Sequence, residues 1–228
     1  MSKKKIKVKV KKRKLNIKRI IIVLVLFIIV IFIIYYFVKL PIRNIYITGN
    51  NMLSDKEIID IIGIGDYPSM LSISSNKLEN ILKRNQYINN VKIRKKLNGK
   101  IYIDIDEKRI LCSYDGKILL EDGNFIENNY DINSYPILLS DISAVKDKFI
   151  TSFDIINDEI LLKISEIEYM PNDVDSERFI LKMNDGNVVY VTLSKTEKMN
   201  KYNSIYSSLD GKKGIIYLDS GDYVEVRE

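Results

Sequence analysis

The residues best suited to chemistry in this chain are closely spaced carboxylates in the segment KIYIDIDE, where Asp104, Asp106 and Glu107 lie within four positions. Two carboxylates held close together can act as a general acid and base, or bind a cation. Here, however, Asp104 and Asp106 alternate with isoleucines, so they share the outer face of a strand beside lysine and arginine side chains. The pattern therefore indicates a solvated strand face rather than an acid–base pair or a metal site.

The remaining reactive residue types exclude several kinds of enzyme. The chain has no histidine, which rules out Ser-His-Asp and Cys-His catalysis and His-ligated zinc. Its single cysteine, Cys112, cannot form a disulfide within the chain. In the apolar run RILCSY it is expected to be a small buried hydrophobic residue rather than a reactive thiol. The sequence thus predicts no catalytic residue, no metal site and no cofactor.

The elements that would position any site begin with a membrane anchor. Residues 20–38 are nineteen consecutive apolar positions, IIIVLVLFIIVIFIIYYFV. As a helix they extend about 28 Å, close to the roughly 30 Å of a bilayer's hydrocarbon core. Tyr35 and Tyr36 lie near the end of this run, where an aromatic belt is expected. The sequence after it, KLPIR, has no small-x-small cleavage site, so we expect an uncleaved anchor rather than a signal peptide.

Charge predicts the orientation of this anchor. Residues 1–19 contain eleven Lys or Arg and no Asp or Glu, whereas the rest of the chain has 25 basic and 30 acidic residues. The positive-inside rule places the basic tail in the cytoplasm and residues 39–228 outside the membrane. Because the positive charge lies beside the anchor and not on a folded domain, it favours topology and attraction to anionic lipid over nucleic-acid binding. A specific cytoplasmic partner for the tail stays an alternative.

The first exterior segment, 39–108, has the pattern of a β-α-α-β-β domain. A strand near residues 42–47 precedes a capping box from Ser54 to Glu57, and Gly63 suits the end of the helix that follows. Ser74 or Ser75 begins a second helix. Two strands then follow, near 88–95 and 100–106. A three-residue loop, Leu97-Asn98-Gly99, keeps the apolar faces in register, which pairs Ile93 with Ile103, Val91 with Ile105, and Lys92 with Asp104.

The second exterior segment, 109–228, is predicted to be a mostly antiparallel β domain with helices. Asp115-Gly116 and Asp185-Gly186 are predicted to be two-residue hairpin turns. We expect a helix over residues 153–165, with Ile156, Ile160 and Leu161 inward, and a second helix opened by a capping box from Ser194 to Glu197 and ended by Gly211. Strands are expected near 109–114, 117–120, 135–139, 164–170, 214–219 and 223–226, and a hairpin over 179–193.

This order of elements resembles the FtsQ/DivIB family of bacterial cell-division proteins. Residues 40–50 (LPIRNIYITGN), 91–97 (VKIRKKL) and 103–107 (IDIDE) are similar to the POTRA domain of that family. Residues 119–125 (LLEDGNF), 135–138 (YPIL), 164–167 (ISEI) and 214–219 (GIIYLD) are similar to its β domain. The last of these segments lacks the arginine that often follows its acidic residue in the family. The resemblance implies an α+β fold: one transmembrane helix, an extracytoplasmic POTRA-like domain and a β domain.

The resemblance also implies a function. Proteins of this family are non-catalytic scaffolds at the division septum. They bind the single-span coiled-coil proteins FtsB/DivIC and FtsL and help to regulate septal peptidoglycan synthesis. A final strand at a sheet edge offers unpaired backbone groups to a partner strand. We therefore expect partner binding at Ile215, Ile216, Tyr217, Leu218, Tyr223 and Val224; an interior or self-capped strand is the structural alternative.

Two other functions compete with this interpretation. A peptidoglycan hydrolase would need two carboxylates at a fixed separation across a cleft. The candidates, Asp104, Asp106, Asp185 and Glu177, are scattered in sequence and each has a turn or surface explanation. A POTRA-bearing export protein would be expected to continue into a series of amphipathic barrel strands, which do not follow here.

Overall fold

The computed structural model describes residues 16–38, 40–65, 68–70, 72–96, 98–130 and 132–227. Most of the predicted basic tail, and Leu97 of the predicted hairpin loop, lie outside these residues. The first element is α1 (Ile17–Val38), whose described side chains are exposed. It is long and apolar enough over Ile17–Tyr36 to cross a membrane. The helix begins three residues before the predicted apolar run.

The β-α-α-β-β order predicted for the next segment is confirmed. The elements are β1 (Asn44–Thr48), α2 (Asp55–Ile62), α3 (Ser75–Leu82), β2 (Ile88–Lys96) and β3 (Lys100–Glu107). They form a three-stranded sheet in the order β1-β3-β2. β1 runs parallel to β3, and β2 runs antiparallel to it. The two helices contribute Ile58, Ile62, Leu78 and Leu82 to the apolar core over this sheet.

The capping interactions predicted for the two helices of this domain are present. Ser54 accepts a hydrogen bond from the Glu57 amide, while the Glu57 carboxylate accepts one from the Ser54 amide, so the capping box is present. The hydrogen bonds from Ser54 lower the pKa of Glu57. Gly63 ends α2 in the left-handed conformation, with φ of 60°. Ser74 caps α3 by accepting from the Lys77 amide.

The predicted hairpin register is also confirmed. Ile93 pairs with Ile103, Val91 with Ile105, and Lys92 with Asp104. The last pair, Lys96 and Lys100, leaves three residues in the loop. Gly99 has a φ of 83°, the left-handed conformation that such a loop requires at its third position. The ion pair to Asp104 comes from Arg94, at 2.6 Å, rather than from Lys92 directly opposite.

The remaining strands form one nine-stranded sheet in the order β12-β11-β10-β9-β8-β7-β4-β5-β6. Most neighbours are antiparallel, but β4 with β7, β7 with β8, and β10 with β11 are parallel. The strands are β4 (Ile110–Tyr114), β5 (Lys117–Leu120), β6 (Phe125–Glu127), β7 (Ile137–Leu138), β8 (Ile164–Tyr169), β9 (Arg178–Met183), β10 (Val188–Thr192), β11 (Lys213–Tyr217) and β12 (Tyr223–Arg227). The helices are α4 (Lys146–Asp154), α5 (Asp158–Leu161), a 3₁₀ helix (Leu193–Lys201) and α6 (Tyr202–Ser208).

Two helix predictions in this domain are wrong in detail. The single helix expected over 153–165 is the end of α4 followed by the short α5, although Ile156, Ile160 and Leu161 are buried as expected. The capping box expected from Ser194 is absent, because the chain there is a 3₁₀ helix without a side-chain cap. Its buried residues, Leu193, Thr196, Met199 and then Tyr202, recur every three positions, which is the 3₁₀ period.

The two Asp-Gly turns differ from each other. Asp115 and Gly116 both have positive φ, 48° and 76°, so the predicted two-residue turn is confirmed there. At Asp185-Gly186 the prediction is wrong: Lys182 pairs with Val188, and the Met183 amide donates to the Asn187 carbonyl, which leaves a three-residue loop. Only Gly186 has positive φ in this second loop, at 91°.

The two sheets meet across an apolar contact. Ile110, Ile118, Leu120 and Ile126 of the nine-stranded sheet belong to the same buried cluster as the core of the β-α-α-β-β domain. Polar contacts flank this cluster, since the Tyr87 hydroxyl donates to the Glu127 carbonyl at 3.2 Å. The division of residues 39–228 into domains 39–108 and 109–228 therefore stays a prediction, with side chains from both segments in one core. A separate buried cluster lies between the nine-stranded sheet, α4, α5 and the 3₁₀ helix.

Candidate partner-binding edge

The strand that ends the nine-stranded sheet is β12, with β11 as its only neighbour among the described strands. β11 itself lies between β10 and β12, so it is not an edge strand. The sequence prediction treated 214–219 and 223–226 as one possible edge. In the structure they are two strands. β11 lies inside the sheet and pairs with β12, and among the described residues β12 has one unpaired side.

Hydrogen bonds of β11 show which backbone groups of β12 are open. The amide of Leu218 donates to the Tyr190 carbonyl, and that of Gly214 donates to Asn187 Oδ1, both at 2.8 Å. Because alternate residues direct their backbone groups to the same side of a strand, even-numbered residues of β11 bond towards β10. The odd-numbered residues therefore bond towards β12, where their partners are Tyr223, Glu225 and Arg227.

The backbone groups of Val224 and Val226 consequently point away from the sheet. Their amide and carbonyl groups are directed outwards, where an added strand would lie. Val226 is 49% exposed, and the whole of β12 except Val224 is classed as exposed. A strand with these properties is a template for β-augmentation, in which main-chain hydrogen bonds hold an extended peptide against the sheet edge.

The six residues predicted to bind a partner are placed differently by this arrangement. Ile216 and Leu218 are buried, at 1% and 4% exposure, so nearly all of each side chain packs in the sheet core. Ile215, Tyr217 and Val224 are partly buried. Tyr223 is 47% exposed and lies on the edge strand itself. Partner binding at these residues stays a prediction. Among the strands that carry them, β12 is the accessible one.

A column of aromatic side chains crosses the sheet to this edge. Tyr190, Tyr217 and Tyr223 stack in turn, with ring centroids 5.2 and 4.6 Å apart and interplanar angles of 9° and 15°. Arg178 covers the inner end of the column, with its guanidinium carbon 4.2 Å from the Tyr190 ring centroid. Sequence reasoning named Tyr217 and Tyr223 but missed Tyr190 and Arg178, because the pairing of β10 with β11 is not visible locally.

Arg178 also pairs with the carboxylate of Asp219, which follows β11. Its Nε donates to Asp219 at 2.7 Å, and both side chains are largely buried. Burial alone would raise the pKa of Asp219, but hydrogen bonds from Arg178 and Ser220 outweigh it and lower the pKa. The pair fixes the chain at the end of β11, just before the turn into β12.

A groove lies beside the edge, between the helices and the β11–β12 hairpin. Its volume is about 360 Å³. Apolar side chains of Ile205, Ile216, Leu218, Tyr223 and Val224 line it, and Lys198, Lys201, Ser204, Ser208 and Asp222 complete its wall. Lys198 donates to Asp222 at 2.5 Å, which lowers the pKa of that carboxyl. The groove can therefore accept an apolar side chain from a peptide bound along β12.

A buried polar network positions the hairpin. Asn187 is 1% exposed; its side-chain amide donates to the Tyr202 hydroxyl at 3.0 Å and its Oδ1 accepts from the Gly214 amide. The Tyr202 hydroxyl in turn donates to Asp185 at 2.7 Å. These bonds connect the β9–β10 turn, α6 and the start of β11. Sequence reasoning missed Asn187, since an Asn after Asp-Gly is ordinary turn chemistry.

The opposite end of the sheet is closed. Its last strand, β6, has three residues, and the Tyr87 hydroxyl bonds to the carbonyl of its final residue, Glu127. Tyr130, which stacks edge-on against Tyr87, donates to Glu57 at 3.0 Å. The contact with the β-α-α-β-β domain thus covers this end, and β12 is left as the open edge.

The carboxylates considered for catalysis are each used by neighbouring groups. Asp104 accepts from Thr48 and from Arg94, and the Thr48 hydrogen bond leads the effects that lower its pKa. Glu107 accepts from three successive backbone amides, residues 51–53. Asp185 belongs to the Tyr202 network, and Glu177 pairs with Lys148. Within the described ranges, no group of three or more His, Cys, Asp or Glu side chains is placed to hold a metal ion.

Cys112 is confirmed as a buried residue. It is fully inaccessible, and desolvation raises the pKa of its thiol to about 12. A thiol in this state is inert at neutral pH, because the thiolate is the reactive form.

Taken together, the fold has the layout of a POTRA-containing protein: an N-terminal apolar helix, a β-α-α-β-β domain and a larger sheet that ends at the edge strand β12. Residues 40–108 match the family model of the FtsQ-type POTRA domain. The chain is 33% identical to the cell division protein DivIB of Bacillus subtilis over 205 aligned residues. These residues are 84% of this chain and 78% of that protein. The chain therefore belongs to the DivIB family of cell division proteins.

Other relatives agree. DivIB of Staphylococcus aureus strain NCTC 8325 is 31% identical over 176 residues, which are 74% of this chain and only 40% of that longer protein. A solved structure of the major extracytoplasmic domain of DivIB from Geobacillus stearothermophilus aligns with a TM-score of 0.38 and 24% identity, covering 46% of this chain and 96% of that domain. The resemblance seen in the sequence and the predicted α+β fold class are confirmed by the relatives and by the structure.

Proposed function

We propose that this protein is a non-catalytic scaffold of the division machinery, which binds single-span division proteins of the FtsB/DivIC and FtsL type outside the membrane. A cell-division role follows from membership of the DivIB family. The observation that carries the finer proposal is the open β12 edge, with two outward-facing residues and an apolar groove beside it.

The recognition mode is β-augmentation. A partner segment in extended conformation would bond to the backbone of Val224 and Val226, and one of its apolar side chains would enter the groove. Exposed charges of both signs lie around this edge. The cations are Lys201, Lys212, Lys213 and Arg227, and the carboxylates are Asp210, Asp222 and Glu225. Complementary charge would increase the rate of association and help fix the register of the added strand.

The anchor and its flanking charge support a position across the cell membrane. With eleven basic residues before the apolar run that begins at residue 20, the N-terminus would be cytoplasmic and both sheets would be extracytoplasmic. There the scaffold would lie beside septal peptidoglycan synthases and help to regulate them through its partners. Enrichment at the division septum is part of the same proposal.

The proposal is tested by reconstituting the full chain in nanodiscs and titrating it with the extracytoplasmic parts of candidate FtsB/DivIC-like and FtsL-like proteins. Saturable binding, weakened by changes to β12, would support the scaffold. An absence of binding by every candidate, or binding that ignores β12, would overturn it. Protease added to intact, wall-stripped cells tests the orientation independently, since the exterior domains should be cut while the N-terminus is protected.

A peptidoglycan hydrolase and an export protein gain no support from the structure. Of the acidic residues that a hydrolase would use, Asp104, Asp185 and Glu177 lie in separate networks. Asp106 lines a cleft with Glu107, Glu121 and Asp158, where Glu107 accepts from three backbone amides and Asp158 accepts from Arg109. Digestion of purified peptidoglycan by the full chain would nevertheless reverse this ranking.

A further inference from the structure

The end of the β-α-α-β-β sheet nearest the anchor carries a compact basic and aromatic surface. Arg43 and the β2–β3 hairpin bring Lys96 and Lys100 beside two stacked tyrosines, Tyr46 and Tyr102, and we name these five residues the basic tip. The tyrosine rings are 5.0 Å apart and within 14° of parallel. Lys100 lies 5.6 Å from the Tyr46 ring centroid, and Lys96 lies 5.8 Å from that of Tyr102.

The basic tip is held against the chain that leaves the anchor. The amides of Arg43 and Asn44 both donate to the Gly99 carbonyl, at 2.7 and 3.3 Å. A Cβ added to Gly99 would lie 2.8 Å from the Pro41 carbonyl, so the hairpin loop packs directly on this segment. The Ser69 hydroxyl also donates to the Val38 carbonyl at the end of α1.

Chain length limits how far the tip can be from the membrane. Arg43 follows the last residue of α1, Val38, by five positions. Five residues span at most about 18 Å when fully extended. The parallel register pairs Asn44 with Lys100 and Tyr46 with Tyr102, so the whole tip is at the anchor end of the sheet. The tip therefore lies within reach of the lipid headgroups whenever α1 spans a bilayer.

Charge within the domain is separated along the strands. None of the ten ion pairs among the described residues involves Arg43, Lys96 or Lys100. The carboxylates of this sheet, Asp104, Asp106 and Glu107, follow further along β3, away from the anchor. The tip thus joins three cations that lack an ion-pair partner among the described residues to a stacked tyrosine pair in which Tyr46 is 41% exposed, and an anionic surface outside the protein would complement it.

We propose that the basic tip docks on the anionic headgroups of the bilayer that α1 spans, and thereby holds the β-α-α-β-β domain upright on the membrane. This inference rests on the membrane-spanning part of the proposed function and not on partner binding. Lysine and arginine near an anionic surface are each attracted to it, while tyrosine side chains favour the headgroup region. Three cations together favour the docked state by a factor on the order of a hundred.

The absence of tryptophan from the chain makes a direct test possible. Tyr46→Trp places a single tryptophan in the tip, at a position that is 41% exposed. The full-length variant is reconstituted in nanodiscs of phosphatidylcholine, with or without about a third phosphatidylglycerol. We expect a blue-shifted emission and strong quenching by a headgroup-attached spin label in the anionic discs. Both effects should weaken in the zwitterionic discs and at high salt, because salt screens exposed charges.

Matched charge variants complete the test. Changing Arg43, Lys96 and Lys100 together to Glu, in the Tyr46→Trp background, should abolish the lipid-dependent quenching. Changing Lys56, Lys83 and Arg84 to Glu alters the charge equally at the opposite end of the same domain and should leave the quenching intact. Circular dichroism and co-elution with the nanodisc confirm that each variant is folded and that α1 is inserted.

Three results would overturn the proposal. The first is equal quenching in anionic and zwitterionic discs. The second is quenching that survives the three changes in the tip. The third is a tryptophan response to soluble polyphosphate without any response to anionic lipid, which would assign the tip to a free polyanion. Loss of partner binding with intact lipid-dependent quenching would refute the scaffold and leave this inference standing.

Discussion

Replacement of Val226 by proline tests the outward-facing backbone of β12 without removing a hydrogen bond to β11. The amide of Val226 points away from the sheet, so its removal costs no hydrogen bond within the protein. Proline is tolerated on an edge strand when its nitrogen faces outwards. We therefore expect Val226→Pro to unfold at nearly the same temperature as the unchanged chain.

Partner binding should nevertheless weaken. In a β-augmented complex the Val226 amide would donate to a carbonyl of the added strand. Proline leaves that carbonyl unpaired at a buried interface, which costs about 1–3 kcal/mol. At about 1.4 kcal/mol per factor of ten, the dissociation constant should rise roughly 5- to 150-fold. Titration of the nanodisc-embedded chain with an FtsB/DivIC-like extracytoplasmic segment measures this directly.

Two control variants make the result interpretable. Val226→Thr keeps both the β-branched shape and the amide, so its affinity should change by less than about a factor of two. Glu225→Pro removes an amide that faces β11, opposite Ile215, and should lower the free energy of unfolding by about 1–3 kcal/mol. If Val226→Pro binds as tightly as the unchanged chain while Glu225→Pro is destabilised as expected, the backbone of β12 is not the partner's docking site.

The remaining predictions concern stability, measured by urea unfolding. Asn187→Ala should lose about 1–3 kcal/mol, because the buried Gly214 amide is left without an acceptor; an unchanged midpoint would show that the network does not position β11. Ser54→Ala should cost about 0.5–2 kcal/mol and Ser54→Gly only a few tenths, as for any N-cap; equal losses would argue against capping. The Arg178 bond to Asp219 holds the folded-state pKa of this carboxyl below its unfolded value, so its stabilisation is present above about pH 4 and is lost as pH falls further. Asp219→Asn should accordingly flatten the decline in stability below pH 4, and an unaltered slope would contradict the assignment.

Local signals predicted the β-α-α-β-β domain well because each of them acts over a few residues. The capping box at Ser54, the left-handed glycine at Gly63 and the side-chain alternation around Gly99 all depend on near neighbours. In the hairpin, a register shift of one residue would move Ile93 and its buried neighbours to the exposed face and charged residues to the core face. One register was therefore strongly favoured by the sequence alone.

The errors in the second domain arise where distant residues decide the local structure. Ser194 to Glu197 fits a capping box, but Thr196 is instead buried and bonds to the Ser152 carbonyl of α4. Asp185-Gly186 is compatible with either a two- or a three-residue loop. The side chain of Asn187 bonds to Gly214, a residue 27 positions away, and that contact accompanies the three-residue form observed.

The prediction of the candidate edge was also right where local sequence decides the structure and wrong where distant residues decide it. The apolar segment GIIYLD was correctly predicted to contain a strand, and the sequence also placed a strand near Tyr223. Which of the two is outermost depends on the parallel pairing of β10 with β11, a connection that passes through the 3₁₀ helix and α6. Ile216 and Leu218 were therefore included as partner-binding residues although their side chains are buried.

The order of strands leaves the two ends of the nine-stranded sheet in different surroundings. β6 is closed by the β-α-α-β-β domain, and β12 is open at the other end. Eight spacings of about 4.8 Å put the two ends up to about 38 Å apart along the sheet. Sites this distant, with no shared contacts, act on stability and binding additively. Under the proposed function, the domain next to the anchor would fix the molecule at the membrane while the far edge pairs with a partner, and changes at one end should leave the other unaffected.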